Sequence, residues 1–88
     1  MNGRQEKVLE IYKVYEDKNK VIYKYRANGA KDLGEIEFLK ENNKVSVIEL
    51  SGIDKEYNIE FFAGKAFPYI IEMNEQGKFD DYRFFAFY

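Results

Sequence analysis

The chain has no cysteine, histidine, threonine or tryptophan, a single proline, and only two serines, Ser46 and Ser51. Each gap removes a class of chemistry. Without cysteine there is neither a disulfide framework nor a thiolate nucleophile, and a reducing compartment, the cytoplasm, is the expectation. Without histidine the chain lacks the usual general base at neutral pH and the commonest metal-binding nitrogen. A hydroxyl nucleophile would have to be Ser46, within a strand, or Ser51, in a turn, and neither has a base beside it in sequence. The six glycines lie singly or in turns, so there is no phosphate-cradling loop. No apolar run approaches the roughly 20 residues of a membrane span, and the start MNGRQEK is too polar for a signal peptide. The expectation is a cytoplasmic protein that is not an enzyme and takes no cofactor, metal or membrane.

What is present is a supply of rings. Eight tyrosines and eight phenylalanines in 88 residues bring much apolar area to a small core, about 150–250 Å² each. Eighty-eight residues make one domain, because chains split into separate cores only at several times this length. The net charge of −2 excludes a bulk electrostatic affinity for nucleic acid or anionic lipid. Charge is uneven: residues 1–34 hold eight basic and five acidic side chains, and residues 35–88 hold six and eleven.

Residues 8–16 (VLEIYKVYE) are rich in β-branched and aromatic types and predict a strand. Strict alternation puts Val8, Tyr12 and Val14 on one face and Leu9, Ile11 and Tyr15 on the other. Asp17-Lys18-Asn19 is turn chemistry. Residues 21–26 (VIYKYR) then alternate, with Val21, Tyr23 and Tyr25 facing one way and Lys24 and Arg26 the other, which completes a hairpin. Asn28-Gly29 signals a turn. Third and fourth strands follow at 35–39 and 45–50, joined through Asn42-Asn43, residues able to take positive φ. The third carries Ile36 and Phe38 on one face and Glu35 and Glu37 on the other.

After Gly52 the period changes. Asp54 reads as an N-cap, and Ile59, Phe62, Ala63, Ala66, Phe67, Ile70 and Met73 recur at helical spacing up to a C-cap at Gly77. Pro68 sits inside this pattern, crowding the carbonyl of Gly64, so a kinked helix is predicted. The competing reading makes 57–61 (YNIEF) a strand, ending near Ala63, before a short helix from Pro68. Asp80-Asp81 turns the chain into a last aromatic strand over 82–88. The predicted architecture is α+β, ββββαβ: an antiparallel four-stranded meander, one helix packed across it, and a C-terminal aromatic strand. That strand must be inserted in the sheet or covered, since an unpaired aromatic strand aggregates.

Three constellations carry possible function. Glu35 and Glu37 share a strand face as a paired-carboxylate site would, although any solvated sheet has such neighbours. Lys13, Lys24 and Arg26 stand among the tyrosines of the first hairpin, the mixture single-strand nucleic-acid binders use for stacking. Parity sends Tyr23 and Tyr25 away from Lys24 and Arg26, and the charge is wrong, so nucleic acid is disfavoured. More rings than the core needs, together with an acidic second half, favour a protein partner or self-association.

The segments Gly34-Glu35-Ile36-Glu37, 62–67 (FAGKAF) and Gly77-Lys78-Phe79 ahead of an aromatic last strand resemble short proteins of Gram-positive bacteria and their mobile elements. The resemblance spans most of the chain and implies no activity, cofactor or site.

Overall fold

The computed structural model describes residues 7–58 and 60–87. It comprises β1 (Lys7–Glu16), β2 (Lys20–Ala27), β3 (Gly34–Leu39), β4 (Lys44–Glu49), α1 (Gly52–Tyr57), α2 (Phe61–Gln76) and β5 (Tyr82–Phe87). Ile59 and Tyr88, assigned by pattern to the helix face and the last strand, lie outside the described residues, as do residues 1–6.

Turn chemistry builds the meander. Asp17 Oδ1 accepts from the amides of Asn19 and Lys20, closing the β1–β2 turn. Asn28 and Gly29 both take positive φ, 51° and 70°, and the Ala30 amide closes the turn on Ala27. At the β3–β4 turn the positive φ falls on Asn43, 52°. All strand pairs are antiparallel, in the order β4-β3-β2-β1-β5. The last strand therefore joins the sheet as an edge, beside β1.

The helices make this possible. The chain leaves β4 at one edge and must re-enter at the other. A sheet of five strands is about 19 Å across at 4.8 Å per step, and the 16 residues of α2 span roughly 24 Å. The crossover buries Phe62, Ala63, Ala66, Ile70 and Met73 of α2 against Leu9, Ile11, Val21, Tyr23, Tyr25, Ile36 and Phe38 of the sheet. The second face of the sheet has no element packed on it among the described residues.

Several expectations need correcting. Strict alternation fails in β1, because a bulge between Lys13 and Tyr15 resets the register. Tyr15 thus pairs with Ile22 on the same face as Tyr12, not with Leu9 and Ile11. The helical region is interrupted, and not at Pro68: α2 runs through the proline, and the break falls at Asn58, which takes φ 55° and caps α1. The competing strand is excluded by its described residues, since Tyr57 ends α1 and Phe61 opens α2.

Asp54 is not an N-cap of its own helix. Ser51 holds that position, its Oγ accepting from the Asp54 amide at 3.3 Å. Asp54 instead turns inward and caps the next helix. Its carboxylate, 1% exposed, accepts from the amides of Phe62 and Ala63, each at 3.1 Å, and from the Tyr25 hydroxyl at 2.9 Å. Tyr25 in turn accepts from the Ser51 amide at 2.9 Å. The first turn of α2 leaves its amides unpaired and carries partial positive charge, so a buried carboxylate there is stabilised without a cation. The network joins β2, α1 and α2. Tyr25 also packs over Gly34, its cross-strand partner, where a Cβ would overlap its ring.

Candidate interaction surface

The uncovered face of the sheet follows from the pairing register. Tyr12 stands opposite Lys24 on β2 and Tyr82 on β5, and Glu10 stands opposite Arg26 and Phe84. Lys24 faces Glu35 on β3, and Ile22 faces Glu37. Residues directly opposite share a face, so this surface carries Val8, Glu10, Tyr12, Lys24, Arg26, Glu35, Glu37, Tyr82, Phe84 and Ala86. The sheet brings Lys24 and Arg26 together here and sends Lys13 to the helix side. There Lys13 Nζ bonds Glu16 at 2.7 Å and the Phe79 carbonyl at 3.2 Å, with Asp81 at 3.2 Å. The bond from Lys13, with a second from Lys40, holds the Glu16 carboxyl below its ordinary value.

The cations on the open face are matched by acids. Arg26 lies over the Tyr12 ring at 5.7 Å, with its Nε 3.5 Å from Glu10, and it donates to the Ala30 carbonyl at 2.9 Å. Lys20 is 3.6 Å from Glu37. Glu35 faces Lys24 on one side and Glu49 on the other. Glu35 and Glu37 thus stand on a charged sheet surface and line none of the four principal clefts among the described residues. Among the described residues no group of acids is clustered for a metal ion. Ser51 is buried as a helix cap, and Ser46 pairs with Glu37 in mid-strand.

Toward β5 the surface changes from charged to aromatic. The Tyr12 and Tyr82 rings meet at 5.1 Å between centroids, tilted by 47°. Tyr82 donates to Glu10 at 2.6 Å, a bond that pushes its phenol up to about 12. Phe84 is 53% exposed and Tyr82 46%. On the helix side of the same strand, Phe85 is buried under Tyr69, their rings stacked at 3.8 Å, and Lys65 lies over Phe87 at 5.2 Å. A cleft of about 690 Å³ runs there between α2 and β5, floored by Leu9, Phe85 and Phe87. β5 is therefore apolar on both faces.

Among the described residues its backbone is also only half used. The Asn28 amide bonds the Val8 carbonyl toward β2, and the Lys13 amide bonds the Asp81 carbonyl toward β5. Antiparallel bonding alternates along a strand, so Arg83, Phe85 and Phe87 pair with β1. The N–H and C=O groups of Tyr82, Phe84 and Ala86 point outward, away from β1. The opposite edge is defended: β4 begins at Lys44, ends at Glu49 and carries an irregularity in its pairing with β3.

Tyr82 and Phe84 were missed as surface residues by sequence reasoning, which required the last strand to be inserted or covered. The available signal was the run of rings in residues 82–88, read there as a strand that has to be inserted or covered.

No protein-family model matches the chain, and no curated protein or solved structure proves significantly similar to it.

Proposed function

We propose that this chain is a non-enzymatic cytoplasmic domain that binds a protein through the aromatic end of its open sheet face. The carrying observation is Tyr82 and Phe84, two large rings left exposed beside Tyr12 on an edge strand. Tyrosine and phenylalanine at the centre of a patch with a charged rim is the composition of protein-binding hot spots. Glu10, Lys24, Arg26 and Glu35 supply such a rim and add no net charge of their own.

A second reading uses the same surface. The Tyr12–Tyr82 pair beside Arg26 and Lys24 offers stacking rings and cations to a single strand of nucleic acid. The acids interleaved among those cations disfavour it, because phosphate binding draws on an unopposed positive field.

The deciding experiment compares the unaltered chain with Phe84→Lys in crosslinking at the natural expression level, using a photoreactive residue at Ala86. A protein crosslinked to the unaltered chain and lost from Phe84→Lys, with circular dichroism unchanged, supports the proposal. Equal crosslinking by both removes it. Nucleic acid recovered instead, with affinity falling steeply as salt rises, establishes the second reading.

A further inference from the structure

The outward edge of β5 has a direction. At its start stand Asp80, bridged to Arg83 at 3.0 Å, and Asp81, which is 3.2 Å from Lys13 but keeps its side chain 90% exposed. At its end stands Phe87, with Lys65 over its ring at 5.2 Å and Lys7 opposite it in register. The exposed charge is thus a carboxylate, Asp81, at one end and a lysine, Lys65, at the other. Between them the strand YRFFAF carries Arg83 as its single charge, without a proline.

Such an edge is complementary to itself in one orientation. From the outward groups of β5 and the exposed charges at its ends, we infer that two copies of this chain pair their β5 strands antiparallel about a two-fold axis through Phe84. The inference rests on the protein-binding reading above and names the partner: a second copy. The alternating bonds settle the register. Only residues with outward groups pair, namely Tyr82, Phe84 and Ala86. Centring on Phe84 sets Phe84 against its own copy and Tyr82 against Ala86, so every outward N–H and C=O of these three is used. Any other register sets at least one of them against a residue outside the described strand.

The same operation brings unlike charges together. On the helix side, Asp81 of one copy falls opposite Phe87 of the other, beneath Lys65 and beside Lys7. Arg83 falls opposite Phe85, a ring over which it already lies at 5.2 Å within its own chain. A parallel pairing would set acid against acid and lysine against lysine, and would bond poorly with this alternation. The two-fold axis stands perpendicular to the sheet, so both open faces look the same way. Tyr12, Tyr82 and Phe84 of the two copies then merge into one aromatic band across a continuous ten-stranded sheet.

The test exploits a chain without cysteine. Residues opposite each other in a bonded antiparallel pair have Cα atoms about 5.5 Å apart, within disulfide reach. Single cysteines are introduced at Tyr82, Phe84 and Ala86, and each variant is oxidised with a mild disulfide catalyst. Phe84→Cys should give covalent dimer at least tenfold faster than Tyr82→Cys or Ala86→Cys, whereas the Tyr82→Cys and Ala86→Cys chains mixed together should crosslink to each other. Sedimentation equilibrium of the cysteine-free chain should show a monomer–dimer equilibrium. Asp81→Lys and Lys65→Asp should each raise its dissociation constant about tenfold, and the double variant should restore it, as expected for an opposed charge pair. A chain that stays monomeric at millimolar concentration overturns the inference, as does crosslinking no faster at 84 than at 82. If that monomer still crosslinks another protein through Ala86 in a Phe84-dependent manner, self-pairing fails and the protein-binding reading stands.

Discussion

Replacing Asp54 by alanine should be among the costliest single changes in this chain, for reasons countable in hydrogen bonds. Its carboxylate accepts from the Tyr25 hydroxyl and from the amides of Phe62 and Ala63, all within 3.1 Å, and it is 1% exposed. Alanine leaves all three donors buried. Losing a helix cap costs about 1 kcal/mol, and each buried donor stranded by removal of a charged acceptor costs about 1–3 kcal/mol. Backbone relaxation at the α1–α2 junction recovers part of this, so the expected loss is about 3–5 kcal/mol. A domain of this length is stable by roughly 4–13 kcal/mol in total, so the change removes a large share of it. Asparagine should cost less, about 1.5–3 kcal/mol. It retains one acceptor, but its amide nitrogen meets the Oδ2 partners, the Tyr25 hydroxyl and the Ala63 amide, with donors of its own. Urea denaturation followed by circular dichroism measures both, and Tyr25→Phe in each background gives the coupling. If Asp54→Ala costs under 1 kcal/mol, or is as mild as Asp54→Asn, the carboxylate does not cap α2 and the account of the junction is wrong.

Gly34→Ala should cost about 2–3 kcal/mol or more by overpacking, because its methyl group would overlap the Tyr25 ring and lie 2.7 Å from the Ser51 backbone nitrogen. A neutral result in urea denaturation would mean that the ring moves freely. Pro68→Ala should stabilise the protein by about 1–3 kcal/mol, since it restores an amide that can reach the Gly64 carbonyl at an exposed position. A destabilising outcome would show that the proline shapes the packing of α2. Burial pushes the Tyr25 phenol up to about 12 and raises Tyr23 further. A folded value above the unfolded one near 10 means that stability is intact below pH 10 and is lost as pH rises toward 12. Ultraviolet titration should therefore show these two rings ionising only together with unfolding, and early, reversible ionisation of every tyrosine would contradict their burial.

The meander was legible because its signals are local. Asp17, the Asn28-Gly29 pair and Asn43 take backbone conformations that their side chains favour, and Tyr23 and Tyr25 alternate cleanly with Lys24 and Arg26. The α+β architecture followed from those turns and the helical spacing up to Gly77. What escaped was long-range. The bulge in β1 depends on how Tyr15 meets Ile22 across the hairpin, which period-two counting misses. Asp54 caps amides eight and nine residues ahead, beyond the window in which capping patterns are read. Of the cations at issue, Lys24 and Arg26 were assigned to the right face by parity. Tyr12 and Tyr82 reach that face from neighbouring strands, and the second lies far along the sequence.

The disagreement between the composition of β5 and its position is the most informative of these failures. Strands apolar on both faces are normally interior, because both faces must find cover. Here Phe85 and Phe87 find it beneath α2, while Tyr82 and Phe84 remain largely exposed and the outer backbone groups have no partner among the described residues. The opposite edge strand shows that this chain can protect an edge, with a lysine, a glutamate and an irregular pairing. Local rules broken at one place and obeyed at its counterpart point to use rather than accident. An edge strand written as an interior one is in keeping with its surroundings once another strand lies against it. The pairing inferred above between two copies would supply that strand.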